Sequence, residues 1–175
     1  MSAKPWILIS DTREQVPLTF PQHLVMLDPR RPPTLKKRMT VRVHVIEKAL
    51  DAGDYALEGH KDLVVVERKG SLREVAFNCL NPADRSRFLA ALGRLSESCR
   101  YPVLFLEGNP AVIQRQIDTD LDMACAVDAL QRVLRGYGVE FLLYSTTTDA
   151  ARKAAGQWIA RLLINGVLHD GRCTR

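Results

Sequence analysis

The sequence predicts an α/β fold, a central mixed β-sheet flanked by α-helices, and three observations carry that prediction. Short apolar runs rich in β-branched residues, Trp6-Ile7-Leu8-Ile9-Ser10, Leu63-Val64-Val65-Val66-Glu67 and Val103-Leu104-Phe105-Leu106-Glu107, have the pattern of strands buried on both faces. Between them, apolar residues recur at helical spacing, as Phe88, Leu89, Leu92 and Leu95 do. Strands and helices alternating along a chain pack as a sheet covered by helices.

The elements follow in order. After the first strand, residues 28 to 40 read as a loop, because Pro29, Pro32 and Pro33 prevent regular structure while Arg30, Arg31, Lys36, Lys37 and Arg38 gather there. Val41-Arg42-Val43-His44-Val45 alternates strictly and predicts an edge or half-exposed strand. Glu47 to Ala52 leads to a turn at Gly53, a short strand spans Tyr55 to Leu57, and Gly59-His60-Lys61-Asp62 makes a hairpin into the next apolar strand. Ser71 is placed to cap a helix over Leu72 to Cys79, and Asn81-Pro82 to begin a longer one through Ser98. Further helices are expected from Pro110 and over Leu121 to Arg135, then a strand over Glu140 to Tyr144. Thr148 or Asp149 caps a last helix ending near Gly166, which makes 1–166 one domain and 167–175 a loose tail.

A chain of 175 residues, 46% hydrophobic, is the size of one ordinary domain with a proper core. Its formal charge of +5 and pI of 9.2 favour an acidic partner, mildly. Cys79, Cys99, Cys125 and Cys173 lack the paired spacing of a zinc site, as do the four scattered histidines, so reduced thiols are expected. No run approaches a membrane span and Met1-Ser2-Ala3-Lys4-Pro5 lacks a signal core, so an intracellular protein without a membrane partner is expected.

The chemistry lies where strands end. Asp11 closes the first strand, Asp54 precedes the short one, and Glu67 ends the next, followed directly by Arg68 and Lys69. Any one such acid is an ordinary surface residue, since carboxylates populate strand ends and loops. Three of them with a lysine match the needs of metal-assisted phosphoryl chemistry, because Mg²⁺ takes a few hard oxygen ligands and keeps several waters. By the period-two rule Glu67 and Lys69 share one face of their strand, and Arg68 projects to the other as a structural residue.

Asp11-Thr12-Arg13-Glu14, Gly53-Asp54-Tyr55 and Glu67-Arg68-Lys69, in this order, resemble the XPF-type nuclease domain of the excision-repair family of structure-specific DNA endonucleases. The motifs cover residues 7 to about 107. The resemblance implies a restriction-endonuclease-like core that cuts one strand of branched, flapped or distorted DNA with Mg²⁺ or Mn²⁺. It makes Asp54 and Glu67 the principal metal ligands, with Asp11 beside them. Lys69 is implied to activate the attacking water and neutralise transition-state charge, and Arg13 to contact the scissile phosphate or hold the acids.

One position departs from the pattern. The family expects an aspartate four residues after the lysine, where this chain has Arg73, with Glu74 one step on. Either Glu74 substitutes, or the site works with fewer acids, or catalysis is lost. Two rivals follow: a catalytically silent DNA-binding or scaffolding subunit, and a nuclease of the same fold acting on RNA or ordinary duplex DNA.

Arg30, Arg31, Lys36, Lys37 and Arg38 are expected to contact DNA phosphates, on the reasoning that their loop follows the Asp11 strand and borders the cleft. Arg87 is a weaker candidate, by similarity to a family helix in which an arginine faces the cleft. Glu14 and Glu47 either shape the cleft or are exposed. Family domains of this kind pair through late helices and a strand, which points to residues 121–165 for a homodimer or a partner protein, with Trp158, Ile159, Leu162 and Leu163 as a candidate face. A compact domain of this type also resembles versions found in phages and mobile elements, consistent with the cytoplasm of a bacterial or phage-infected cell.

Overall fold

The computed structural model describes residues 4–28 and 37–170. Each apolar run becomes a strand: β1 (Trp6–Ser10), β4 (Tyr55–Leu57), β5 (Val64–Lys69) and β6 (Tyr101–Glu107). With β2 (His23–Leu27), β3 (Arg38–Glu47) and β7 (Glu140–Tyr144) they form one seven-stranded sheet in the order β2-β3-β1-β4-β5-β6-β7. The sheet is mixed: β1 runs parallel to β3 and antiparallel to β4, whereas β5, β6 and β7 are mutually parallel.

Five helices follow the expected order, α1 (Leu72–Leu80), α2 (Pro82–Ser98), α3 (Pro110–Thr119), α4 (Leu121–Tyr137) and α5 (Asp149–His169). Their starts are chemically explicit. The Ser71 hydroxyl accepts the Glu74 amide, the Asn81 carboxamide accepts those of Ala83 and Asp84, and Thr148 accepts that of Ala151.

Side chains alternate across the sheet and build two cores. Leu8, Tyr55, Leu57, Val64, Val66, Val103 and Phe105 pack beneath α5 with Ile159, Leu163 and Ile164. On the other face Ile9, Ala56, Val65, Leu104 and Leu106 meet residues of α1, α2 and α4. The period of two decides which acids meet, because residues just beyond a core position inherit its face. Glu67 and Lys69 thus continue the Val65 face and Arg68 the Val66 face.

Several expectations are corrected. Residues 23–27 form β2, an element that the sequence reading leaves unassigned. β2 is the sheet edge, so β3 is interior, although six of its ten side chains remain exposed. β3 also begins inside the expected loop, at Arg38. α5 runs three residues past Gly166, to His169, with Val167 1% exposed, so the helix takes in the first residues of the expected 167–175 tail, whose last five lie outside the described residues. Among the described residues no helix is long and apolar enough to cross a membrane.

Candidate active site

At the carboxyl ends of β1 and β5 a cleft is lined by Arg13, Glu14, Gln15, Val16, Asp54, Glu67, Arg68, Lys69, Gly70 and Glu74. Backbone bonds tie the ends of β1, β4 and β5 together here: the Asp54 amide donates to Val66 O at 2.8 Å, and the Asp11 amide to Asp54 O at 2.8 Å. Gly53 makes this approach possible. Its φ is +70°, and an added Cβ would lie 2.4 Å from Val65 Cγ1 and 3.1 Å from Val66 O. Only glycine suits that position, and the next residue is Asp54.

Asp54 carries the most perturbed carboxyl of the cleft. Burial, then the charges of Glu67 and Glu14, push it up to about 7, against the amide of Arg68 that donates to Oδ2 at 2.7 Å and the positive charge of Lys69. Lys69 sits between two carboxylates, with Nζ 3.2 Å from Glu67 Oε1 and 3.2 Å from Glu74 Oε1. Its burial lowers the ammonium pKa, but Glu67 and Glu74 outweigh that and hold it above the ordinary lysine value. The Phe88 ring lies 5.7 Å from the same nitrogen.

The structure brings Asp54, Glu67, Lys69 and Arg13 together in the cleft and places Asp11 behind Arg13, outside the lining. Asp11 is 2% exposed and does not line the cleft. Its Oδ1 accepts the backbone and Nε of Arg13 at 2.7 and 2.8 Å, and Oδ2 accepts Arg13 NH2 at 3.0 Å and the Leu50 amide at 2.6 Å. These donors, the Arg13 side chain foremost, hold its carboxyl at about 2. Both oxygens of Asp11 are thus engaged by Arg13 and Leu50, so in this arrangement the carboxylate acts as a clamp. What it clamps is Arg13, whose NH2 also reaches Leu50 O at 2.7 Å while its side chain remains 69% exposed. A guanidinium held on one edge and open on the other suits a phosphate.

Glu74 occupies the ground that Arg73 vacates. Arg73 is exposed on α1 and lies outside the cleft, whereas Glu74 turns back, accepts the Gly70 amide at 2.9 Å and pairs with Lys69. Arg68 behaves as the strand period predicts, pairing with Glu107 and donating to Glu14 Oε1 at 3.0 Å.

The expected DNA contacts fare differently. Arg30, Arg31 and Lys36 lie outside the described residues. Lys37 and Arg38 are exposed at the start of β3, but β3 is parallel to β1 with Ser10 opposite Glu47, so Arg38 lies at the far end of the strand from the acids. At about 3.3 Å per residue the separation along β3 is roughly 30 Å. Lys37 and Arg38 therefore do not border the acids, since following a strand in sequence says nothing about which end a parallel partner enters from. Arg87 is exposed on α2, pairs with Asp84 and does not line the cleft.

Among the described residues no three acidic, histidine or cysteine side chains are grouped as a complete metal-binding set. The carboxylates lining the cleft are those of Asp54, Glu67, Glu74 and Glu14, with Glu67 and Glu74 both paired with Lys69 and Glu14 with Arg68.

The chain matches no protein-family model and no curated protein. Solved structures do resemble it. XPF from Aeropyrum pernix is 20% identical with a TM-score of 0.54, over 89% of this chain and 60% of that one. XPF from Aeropyrum pernix in complex with DNA is 23% identical with a TM-score of 0.53, over 93% of this chain and 66% of that one. This chain thus spans less than two thirds of the length of either. The likeness bears out the expected architecture: the fold is XPF-like, a restriction-endonuclease-like α/β core.

Proposed function

We propose that this chain is a Mg²⁺- or Mn²⁺-dependent endonuclease that nicks branched, flapped or distorted DNA. The observation that carries the reading is the pairing of Asp54 and Glu67 in one cleft, with the Asp54 carboxyl raised by burial and by its neighbour's charge. Such a pair fits a hard divalent cation, which takes carboxylate oxygens and relieves their repulsion, and which needs only one or two protein carboxylates when waters and phosphate complete its sphere. When bound, the ion would supply an acidified water and polarise the phosphoryl oxygen. Lys69, fixed by Glu67 and Glu74, holds positive charge where the phosphate would gain negative charge. Arg13, held by Asp11 and Leu50, presents its open edge to a phosphate oxygen.

Labelled flap, fork, linear duplex and RNA substrates, each with Mg²⁺, Mn²⁺ or EDTA, test this. Divalent-dependent nicking of the branched DNAs ahead of duplex and RNA is the expected result. Equal cutting of plain duplex or RNA would transfer the reading to the restriction or RNA rival. Arg73, which stands where the family has an aspartate, motivates the silent-subunit reading, and DNA binding without cutting in any metal would favour it.

For the partner we propose a second copy of the chain on the β7 side. β7 is an edge strand whose Phe141 and Leu142 are exposed, and an apolar groove lined by Leu106, Ile113, Val127, Leu130 and Leu143 runs beside it. An unprotected apolar edge is a template for pairing. The α5 stripe divides: Ile159 and Leu163 are core and Leu162 packs against it, which leaves Trp158 exposed. Light scattering is expected to give twice the chain mass, falling to one in Phe141→Glu; a wild-type monomer at all concentrations rejects the dimer.

A further inference from the structure

Beneath the cleft lies an ionic network that the reaction just proposed does not use. Glu107, at the end of β6, is 7% exposed. One of its oxygens accepts Arg68 Nε, and the other accepts the Thr146 hydroxyl and Arg152 NH1, the latter at 3.4 Å. Arg152, in the first turn of α5, then forks its NH2 onto two main-chain carbonyls, Val16 O at 3.0 Å and Pro17 O at 3.1 Å. Arg68 reaches the same segment from the other side, donating to Glu14 Oε1, which also accepts the Val16 amide at 2.8 Å. The next amide, Leu18, donates to the buried Tyr55 hydroxyl at 3.0 Å.

Residues 13–17 have no regular secondary structure, yet Arg13, Glu14, Gln15 and Val16 form one wall of the cleft. A segment without its own backbone ladder keeps a fixed shape only when other groups satisfy its amides and carbonyls. Here those groups come from β5, β6 and α5 through two arginines that share one buried carboxylate. We propose that Glu107 and Arg152 are positioning residues, holding the 13–17 wall, and with it Arg13, at a fixed distance from Asp54 and Glu67. Neither touches the proposed phosphate site; they act through Arg68, Glu14 and the Val16 and Pro17 carbonyls. The kinetic part of this inference rests on the nuclease reading, whereas the structural part does not.

The test pairs two readouts on Arg152→Met, Arg152→Lys and Glu107→Gln. Amide hydrogen exchange at Val16 and Leu18 is expected to accelerate about ten- to a hundredfold in Arg152→Met, the effect of losing charge-assisted bonds, while the core amides of β5 and β6 keep wild-type rates. In cleavage, kcat is expected to fall about ten- to a hundredfold with DNA affinity within about twofold of wild type, as for a displaced catalytic group. Arg152→Lys restores neither, because an ammonium cannot reproduce the fork on Glu107 and two carbonyls. Unchanged exchange at both amides in Arg152→Met and Glu107→Gln overturns the proposal, as does a loss of DNA affinity with kcat intact, which makes Arg152 a DNA contact. A wild-type chain that cuts nothing removes the nuclease reading and leaves the exchange rates to decide the clamp.

Discussion

Asp54→Asn and Glu67→Gln are each expected to lower divalent-dependent cleavage about a thousandfold or more, the scale of several kcal/mol of lost metal and transition-state stabilisation. Both should fold. In Asp54→Asn the amide oxygen still accepts from the Arg68 backbone, so the β4–β5 corner keeps its bond. The variant also makes a thermodynamic prediction that loss of activity alone does not. Unfolded aspartate ionises near 3.8 and folded Asp54 near 7, so between these values the native state holds the extra proton. Metal-free wild-type protein must then lose stability as pH rises from about 4 to about 7 and remain lower above it, by at most roughly 4 kcal/mol. Asp54→Asn removes the titrating group and is expected to melt higher than wild type at pH 8 without metal. Added Mg²⁺ should raise the wild-type Tm and leave that of the variant nearly unchanged. A variant that cuts normally, or one that melts lower at pH 8, would sink the assignment of Asp54.

These effects were partly visible in the sequence, for identifiable reasons. Helix starts and apolar strands are local properties, which is why Ser71, Asn81-Pro82 and Thr148 mark real caps and Glu140 to Tyr144 is a real strand. The period of two likewise separates Arg68 from Glu67 and Lys69 before any contact is known. Strand order is not local. Nothing in residues 28–40 reveals that β3 enters parallel to β1 from the opposite end, and this alone moves Lys37 and Arg38 away from the acids.

The partners of Asp11 were hidden for the same kind of reason. Its acid at a strand end was legible, but the Leu50 amide that occupies Oδ2 is far along the chain. Glu107 shows the converse: an acid ending an apolar strand, it carries the same local signature as Glu67, so a signal for it is present in the sequence. Arg152 carried none, since one arginine in the first turn of an exposed helix start looks like any other. Glu74 stood between these cases. Its spacing from Lys69 was visible, while the backward turn onto the Gly70 amide depends on where α1 begins.

Gly156→Val is expected to be the most destabilising single change on α5, and it joins the fold to the cleft. A Cβ at Gly156 would lie 2.1 Å from Thr19 O and 2.8 Å from Thr19 C, so the obstacle is main chain, which cannot swing aside as a side chain can. The segment beyond it is also fixed: Leu18 is 4% exposed, and the Phe20 ring meets Tyr55 edge-on at 5.1 Å. Overpacking costs about 1–3 kcal/mol, and contact with a pinned backbone belongs at the top of that range or above. For a domain of this length, 3 kcal/mol corresponds to a fall in Tm of roughly 6–12 °C. Two other glycines calibrate the result. At Gly166 the nearest atom is Val64 Cγ2, 2.2 Å away, a side chain that can move, so Gly166→Ala should cost less. At Gly136, inside α4, nothing lies within 4 Å, and Gly136→Ala is expected to stabilise by roughly 0.5–1 kcal/mol. An order of Tm values other than Gly136→Ala above wild type, then Gly166→Ala, then Gly156→Val would contradict this packing of α5. Because Arg152 rides on the turn before Gly156 and grips Val16 and Pro17, any outward shift of the helix must also loosen the wall that carries Arg13. Activity in Gly156→Val should therefore fall at temperatures where the protein is still folded.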